Sequence, residues 1–306
     1  MKQVVVIGYG SIGSRHAAVL SRYGCNVSVV TTQEIQHYLR YDVIEKALEN
    51  NAVDAIIIAN PTYLHYETLQ KIAALNFKKT ILIEKPLFSQ VEKFENDDAK
   101  NIYVGYNLRF HELFQHVKNL LRDDELVSFS AQVGSYLPNW RKNSDYRRSY
   151  SAKKEYGGGV LRDLSHELDY VVWLCGKCIE LTAMGGHFST LEIDSDDFYA
   201  ISMRCENCQI VNIQLDYLNR MPSRKIIINT KKQHTIYLDL IEGRLIFDGE
   251  IKFQVKDAMN KAFNTQTELM IQKKFFNFCD YRQGLYIMDL IEAIEQSATE
   301  KKWIIL

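Results

Sequence analysis

Two segments of the chain carry residue types that could move a proton during a reaction. Glu84 and Lys85 directly follow an apolar, strand-like run, and Asp163, His166 and Asp169 follow three glycines at spacings of three residues. Side chains three residues apart share one face of a helix. From that face, His166 could take a hydroxyl proton while a nicotinamide takes a hydride from the same carbon. The open alternatives are a surface ion pair at Glu84 and Lys85, and a capping Asp163 beside a packed His166.

A glycine-rich turn near the start of the chain has the spacing of a dinucleotide-binding turn. Gly8, Gly10 and Gly13 follow an apolar run and precede a helical pattern. The first glycine allows a tight turn, the second lets a pyrophosphate approach the main chain, and the third lets the helix pack on the strand. The N–H groups of Ser11 and Ile12 would then face the phosphates at the helix N-terminus. A tight turn without a ligand is the alternative.

The residues after the second predicted strand do not select one cofactor. Thr31 and Thr32 stand where an NAD-specific enzyme usually has an acid that binds the ribose hydroxyls. No arginine takes the place of that acid to bind a 2′-phosphate. The hydroxyls of Thr31 and Thr32 suit either cofactor, so the sequence predicts NAD or NADP without a preference.

Further candidates for the cofactor site follow the later strands. In an open α/β sheet, ligands bind outside the carboxyl ends of the strands. We therefore expect the cofactor to contact Asn60, Pro61, His65, Glu84 and Lys85, which come after two buried strand-like runs.

The order of predicted elements places these residues in two domains. The early part of the chain alternates strands with helices, which is typical of a parallel sheet, with strands at 4–7, 27–30, 55–59 and 80–83 and helices at 13–23, 43–50 and 66–75. After residue 105 the pattern predicts antiparallel strands, with helices at 111–121, 162–174, 265–281 and 285–296. We predict an α/β fold with a doubly wound Rossmann domain over residues 1–120. An α+β domain, built on a mainly antiparallel open-faced sheet, would cover residues 121–306.

A basic segment precedes His166. Residues 141–154 contain six basic residues and one acidic residue, which gives a local charge of about +5. Arginine binds carboxylates and phosphates through two parallel hydrogen bonds. The predicted substrate-binding residues are Arg109, Trp140, Arg141, Tyr146, Arg147 and Tyr150, together with Asp163 and His166. A solvated charged loop is the alternative.

Composition excludes several classes of protein. The 306 residues carry 37 basic and 38 acidic side chains, which gives a net charge of -1. The chain therefore lacks the global positive charge that is typical of proteins that coat nucleic acids or anionic membranes. The longest apolar run, residues 170–175, is too short to span a bilayer. The start of the chain does not have the pattern of a signal peptide, and we predict a cytoplasmic protein.

Four of the six cysteines form two C-x-x-C pairs. Cys175 and Cys178 form the first pair, and Cys205 and Cys208 flank a predicted hairpin turn. Two such pairs can hold Zn²⁺ if the strands bring them together. Buried thiols are the alternative, and we predict no metal in the site itself.

Together these segments resemble the Gfo/Idh/MocA family of nicotinamide-dependent sugar oxidoreductases. The shared features are the glycine turn with His16 three residues after it, the Glu84-Lys85-Pro86 motif, and the glycine run followed by Asp and His. The segments 104–110 and 290–297 also fit the family, so the resemblance covers nearly the whole chain.

The resemblance implies roles for individual residues. Lys85 would lie between nicotinamide and substrate, where it would orient the substrate hydroxyl and lower the pKa of that hydroxyl. His166 would be the general acid and base, with Asp163 as a partner of both. The family usually has three residues between this Asp and His, whereas only Leu164 and Ser165 intervene here. The role of His166 is better supported than that of Asp163, because Leu168 and Asp169 also fit the family's pattern after its histidine.

The resemblance also implies a function and an assembly. The leading hypothesis is hydride transfer between NAD(P) and a secondary hydroxyl or ketone of a sugar derivative, acidic or nucleotide-linked, in carbohydrate or surface-polysaccharide metabolism. Members of the family commonly associate through the open face of the second-domain sheet, which implies a homodimer or homotetramer. The alternative is a non-catalytic dinucleotide-binding regulator or scaffold of the same fold.

Overall fold

The computed structural model describes residues 1–49, 52–94, 97–141 and 144–306. In chain order, the helices and strands are β1 (Gln3–Ile7), α1 (Ser11–Arg22), β2 (Asn26–Val30), β3 (Leu39–Tyr41), α2 (Ile44–Leu48), β4 (Val53–Ile58), α3 (His65–Ala74), β5 (Thr80–Ile83), β6 (Ile102–Val104), α4 (Glu112–Leu120), β7 (Leu126–Gly134), α5 (Val160–Asp163), α6 (His166–Cys175), β8 (Cys178–Gly186), β9 (Phe198–Cys205), β10 (Cys208–Asp216), β11 (Ser223–Thr230), β12 (Thr235–Asp239), β13 (Arg244–Phe247), β14 (Glu250–Gln254), α7 (Ala258–Ile271), β15 (Cys279–Asp280), α8 (Tyr281–Glu300) and β16 (Ile304–Ile305).

The chain divides into two compact units. The first unit contains Met1–Tyr106 and Asn264–Met288, and the second contains Asn107–Phe263 and Asp289–Leu306. The units therefore do not divide at the predicted boundary of residue 120. Helix α4 belongs to the second unit because Phe114 packs against the Tyr170 ring of α6, with 4.9 Å between the centroids. Residues near 275 return to the first unit because the rings of Phe275 and Tyr103 stack at 4.3 Å.

Seven strands of the first unit form one sheet in the order β15-β6-β5-β4-β1-β2-β3. All neighbours pair in parallel except β15 and β6. The central strands β1, β4 and β5 are nearly continuous apolar runs, as expected for strands that are covered on both faces. Because these strands are parallel, the residues that follow them, Gly8, Ala59 and Glu84, lie at the same edge of the sheet. This edge carries the candidate cofactor-binding residues of the first unit.

Nine strands of the second unit form a sheet in the order β14-β13-β12-β11-β7-β10-β9-β8-β16. Only β7 and β10 pair in parallel, and every other neighbouring pair is antiparallel. Alternation along β11 buries Ile226 and Ile228 and exposes Lys225 and Ile227. One face of this strand therefore packs on the core while the other is open. The predicted combination of a parallel Rossmann sheet and a mainly antiparallel sheet is confirmed.

The helix predicted over residues 162–174 is two helices. Helix α5 begins where the N–H groups of Val160 and Leu161 donate to the main-chain and side-chain oxygens of Asp196, each at 3.0 Å. It ends at Leu164, whose φ of -100° and ψ of 28° depart from the helical values. Asp163 therefore ends α5 and His166 begins α6. The prediction that these two residues share one helical face is wrong.

The helix predicted over residues 265–281 also differs from the structure. Helix α7 spans Ala258–Ile271, and the left-handed conformation of Lys273, with a φ of 58°, follows its end. Cys279–Asp280 then pairs with β6 as strand β15. No helix among the described residues has the length and apolar character that a membrane span requires.

The four cysteines of the C-x-x-C pairs meet at one end of the second sheet. Cys205 is the register partner of both Cys178 and Cys208, and all four thiols are at most 4% exposed. Hydrogen bonding to Cys178 and burial raise the pKa of Cys205, and hydrogen bonding to Cys208 and burial raise that of Cys175. No disulfide forms, and the described residues contain no group of three or more His, Cys, Asp or Glu placed to hold a metal. In this structure the four cysteines are buried thiols.

A buried histidine caps helix α4. Nδ1 of His111 accepts the N–H of Leu113 at 3.3 Å, so the proton lies on Nε2, which is 3.2 Å from the carbonyl oxygen of Leu240. Burial lowers the pKa of His111 to about 4. Protonation of Nδ1 would remove the acceptor that caps α4.

We expect the contribution of His111 to the free energy of unfolding to fall as the pH is lowered from 7 to 4. A histidine whose pKa is depressed by folding contributes its stability above pH 6.5, and this contribution is lost as the pH falls through about 4. The loss of this contribution would reach about 3 kcal/mol. His111→Asn keeps an acceptor for Leu113 and does not titrate, so in urea denaturation at several pH values the unfolding free energy of the wild type, relative to this variant, should fall over the same range. The same pH dependence in both proteins would contradict this assignment.

Candidate active site

The glycine turn has the geometry of a dinucleotide-binding turn. Gly8 has a φ of 95°, and a Cβ atom there would lie 2.6 Å from main-chain atoms of Ala59 and Asn60. A Cβ on Gly13 would lie 2.1 Å from the carbonyl oxygen of Gly8. A Cβ on Gly10 would meet nothing within 4 Å, so space is open above the middle glycine. The turn therefore fits a pyrophosphate that passes close to the main chain.

The start of α1 completes this turn. Ser11 and Ile12 are the first helical residues, and their N–H groups belong to the helix terminus that carries positive potential. In α1, which the structure describes in full, no side chain caps the N-terminus and no acidic residue lies in the first turn. These features suit an anionic ligand, as predicted for Ser11 and Ile12.

An arginine missed by the sequence analysis lies on the strand beside Thr31 and Thr32. Strand β3 pairs with β2 and brings Arg40 opposite Val29. The guanidinium of Arg40 lies 3.0 Å from the Asp42 carboxylate and 3.5 Å from that of Glu34. The hydroxyl of Thr31 accepts the N–H of Gln33 at 3.1 Å. Arg40 was missed because only the pairing of β3 with β2 brings it close to Thr31 and Thr32.

The loop that carries Lys85 is held from two sides by buried histidines. Nε2 of His16, on α1, lies 2.7 Å from the Glu84 carboxylate. The Nδ1 atom of His65, on α3, lies 3.2 Å from the carbonyl oxygen of Pro86 and 3.1 Å from that of Leu87. The peptide bond between Lys85 and Pro86 is cis.

Internal contacts therefore account for two residues predicted to bind the cofactor. Nε2 of His65 lies 3.0 Å from the carbonyl oxygen of Asn60, the residue is 1% exposed, and burial lowers its pKa. Glu84 is 9% exposed and faces His16. The structure gives His65 and Glu84 roles in holding the loop and does not support their direct contact with a cofactor. Asn60 and Pro61 lie beside the glycine turn at the edge of the sheet, as expected.

In the second unit, two tyrosines hold the predicted catalytic aspartate. The hydroxyl of Tyr217 donates to Oδ2 of Asp163 at 2.6 Å, and the hydroxyl of Tyr150 also bonds to Asp163. Burial, and then the negative charge of Asp163, raise the pKa of both hydroxyls well above the ordinary value. Both tyrosines therefore remain donors. Tyr217 was missed, although its place directly after an alternating strand was a usable signal.

Ion pairs fix helix α6, on which His166 is the first residue. Arg109 donates to both carboxylate oxygens of Asp169 at distances from 2.6 to 3.1 Å, and Arg109 is 2% exposed. Arg224 lies 3.0 Å from the buried carboxylate of Glu167. The structure does not support the predicted substrate contact of Arg109, because its guanidinium is buried against α6.

Two cations of the basic segment are paired with acids of the second unit. Arg147 contacts Asp145 at 2.8 Å and Glu192 at 3.3 Å, and Lys153 lies 3.6 Å from Asp194. The predicted role of Arg147 in binding an anion is therefore not supported. Lys142, which was also counted in this segment, lies outside the described residues.

A pocket remains beside this segment. It is open to solvent, its empty space is about 240 Å³ with that open part included, and its lining residues include Trp140, Arg141 and Tyr146. The guanidinium of Arg141 lies 5.5 Å from the centroid of the Tyr150 ring, and the Trp140 ring packs edge-on against Tyr217 at 5.1 Å. The same two tyrosines bond to Asp163. Three of the predicted substrate-binding residues thus line one pocket, next to the tyrosines that hold Asp163.

Two family models match the chain. The model described as "Oxidoreductase family, NAD-binding Rossmann fold" matches residues 2–99, and the "GFO/IDH/MocA C-terminal domain" model matches residues 114–235. A search of curated proteins found no match.

Solved structures share the fold along the whole chain. GenD2 from gentamicin A biosynthesis, in complex with NAD, is 16% identical with a TM-score of 0.81, and the match covers 100% of this chain and 96% of that one. A myo-inositol dehydrogenase from Corynebacterium glutamicum is 17% identical with a TM-score of 0.81 and coverage of 100% and 99%. The WlbA dehydrogenase from Bordetella pertussis, in complex with NADH and UDP-GlcNAcA, is 18% identical with a TM-score of 0.77 and coverage of 100% and 97%.

Substitutions in the glycine turn should separate cofactor binding from folding. Gly10→Ala fits the local φ of -73° and open space, so the unfolding free energy should change by less than about 1 kcal/mol. The methyl group would stand where the pyrophosphate approaches, and we expect NADH affinity, measured by fluorescence titration, to fall at least about tenfold. Gly13→Ala is the control. Its Cβ meets the Gly8 carbonyl and should lower the unfolding free energy by about 1 to 3 kcal/mol. Unchanged NADH affinity in Gly10→Ala would contradict the assignment.

The cap of α5 should make stability depend on pH. Burial raises the pKa of Asp196 to about 6, so its stabilising contribution is complete below pH 3.8 and is lost as the pH rises through 6. Asp196→Asn keeps an acceptor for Leu161 without this titration. Relative to the wild type, its unfolding free energy should be higher at pH 8 than at pH 4, by up to about 3 kcal/mol. Denaturation curves at the two pH values test this, with Asp194→Asn as the control for loss of a nearby exposed carboxylate. A pH-independent difference would contradict it.

Proposed function

We propose, from the premise that the chain belongs to the Gfo/Idh/MocA family of NAD-binding oxidoreductases, that it transfers a hydride between NAD(P) and a secondary hydroxyl or ketone of a sugar derivative. The observation that carries this proposal is the open dinucleotide turn at Gly10, in a chain that also keeps Lys85 after β5 and His166 at the start of α6. When bound, the nicotinamide supplies the hydride acceptor or donor.

The residues of the chain have separate roles in this reaction. Lys85 binds and orients the reacting hydroxyl, and His166 accepts its proton during oxidation or returns it during reduction. Nδ1 of His166 is buried, so we assign the proton transfer to Nε2. Asp163 positions this part of the site, and the hydroxyls of Tyr150 and Tyr217 keep its carboxylate oriented.

We further propose that the substrate is acidic or nucleotide-linked. Support comes from Arg141, which lines the open pocket of the second unit together with Trp140 and Tyr146. A guanidinium in a cavity with aromatic walls suits a carboxylate or phosphate attached to a sugar. The WlbA structure, which has a similar fold, holds UDP-GlcNAcA. A homodimer or homotetramer formed through the open sheet face is part of the same proposal.

Substitution of the two proposed catalytic residues tests the function. We expect Lys85→Met and His166→Asn each to lower kcat by at least about a hundredfold, with NADH affinity changed less than about threefold. A panel of sugar acids and nucleotide sugars with NAD⁺ and NADP⁺, followed by absorbance at the nicotinamide band, provides the assay. Lys71→Met and His234→Asn are matched controls at solvent-exposed ion pairs and should keep full activity.

Two outcomes would contradict the proposal. Full activity of both variants on a substrate that the wild type oxidises would remove Lys85 and His166 from the reaction. Tight cofactor binding without turnover on any member of the panel, together with capture of a partner protein, would favour the alternative of a non-catalytic regulator or scaffold.

A further inference from the structure

A buried pair joins the cofactor-binding helix to the loop of the proposed catalytic lysine. His16 lies on α1, the helix whose first residues form the dinucleotide turn, and has no solvent exposure. Its Nε2 atom is 2.7 Å from Oε1 of Glu84, the residue immediately before Lys85. Both residues belong to the first compact unit. One helix therefore carries both the phosphate-binding turn and the hydrogen-bond partner of Glu84.

The second oxygen of Glu84 reaches the main chain of Lys85. The N–H of Lys85 donates to Oε2 of Glu84 at 3.3 Å, and the N–H of Glu84 donates to the carbonyl oxygen of Ile58 at 2.9 Å. A Cβ atom on Gly105 would lie 3.0 Å from the Glu84 carboxylate, so the glycine makes room for it. The carboxylate is thus held between His16 and the start of Lys85.

This carboxylate is held in its charged form. Burial favours the neutral acid, but the hydrogen bond and electrostatic interaction with His16, and then the charge of Lys85, outweigh it, so the pKa of Glu84 lies below its ordinary value. A buried carboxylate that lost its donor would have to take up a proton or move toward water. Either response would disturb its bond to the N–H of Lys85.

We propose that His16 is a positioning residue, which acts through Glu84 to fix the main chain at Lys85 and thereby the place of the Lys85 amine. The inference rests on the proposed function only in giving that amine a catalytic role. His16, which follows the glycine turn in the sequence motif, would then position the loop of Lys85 and would not bind the phosphates.

Chemical labelling of Lys85 tests this role without a substrate. Trace acetylation with acetic anhydride, read by peptide mass spectrometry, compares Lys85 with the exposed Lys71 as an internal reference. His16→Met removes the donor at similar volume. We expect the labelling rate of Lys85, relative to Lys71, to differ from that of the wild type by about tenfold in either direction. His16→Gln retains an N–H donor and should stay within about twofold of the wild type.

Two further measurements distinguish positioning from a loss of stability. Leu69→Ala removes a buried side chain of α3 in the same unit, so it should lower the melting temperature without changing the labelling of Lys85. The affinity for NADH should change by less than about threefold in His16→Met, because the glycine turn is intact. On any sugar that the wild type oxidises, kcat of His16→Met should fall by about tenfold to a hundredfold.

The labelling result decides the inference. A Lys85 labelling rate in His16→Met no different from that in Leu69→Ala would overturn it, as would a loss of NADH affinity as large as the change in labelling. If His16→Met does not fold, Glu84→Gln takes its place. Its single amide oxygen cannot accept from both His16 and Lys85 as the two carboxylate oxygens do, so Lys85 labelling must again change. If no sugar is turned over, the proposed function fails while the labelling still tests the role of His16.

Discussion

Buried carboxylates, each provided with a donor, are the constraint on which the candidate residues of each unit depend. Glu84 is paired with His16 in the first unit, and Asp163 and Asp169 are paired with tyrosines and an arginine in the second. A carboxylate removed from water is costly unless charge or hydrogen bonds compensate it. The donors therefore hold these acids in place, and with them the loop of Lys85 in the first unit and helix α6 of His166 in the second.

The sequence predicted the elements that depend on local signals. The spacing of Gly8, Gly10 and Gly13 predicted the turn because main-chain atoms leave no room for a Cβ at Gly8 and Gly13, while Gly10 keeps the space beside the turn open. Strand β5 has the predicted bounds because a short apolar run with turn residues on both sides has few other conformations. The motif residues of the candidate site were found in the same way, by type and spacing.

Such local signals could not predict contacts between distant parts of the chain. The start of α5 at Val160 depends on Asp196, more than thirty residues later, whose main-chain oxygen and one side-chain oxygen accept the first two N–H groups of the helix. Arg109 resembled an anion-binding residue because nothing near it in the sequence reveals its pairing with Asp169. A residue type indicates which partner it needs, but only the folded chain supplies that partner.

The partial pairing of the basic segment has a consequence for how a substrate would arrive. Arg147, paired with Asp145 and Glu192, and Lys153, paired with Asp194, produce little field at a distance, since opposite charges a few ångströms apart cancel beyond about one Debye length. The attraction that an anionic sugar experiences on approach would thus be weaker than the local charge of about +5 suggests. Selection between anionic and neutral sugars would then depend more on contact at short range, beside Arg141, than on the field that the sugar meets before contact.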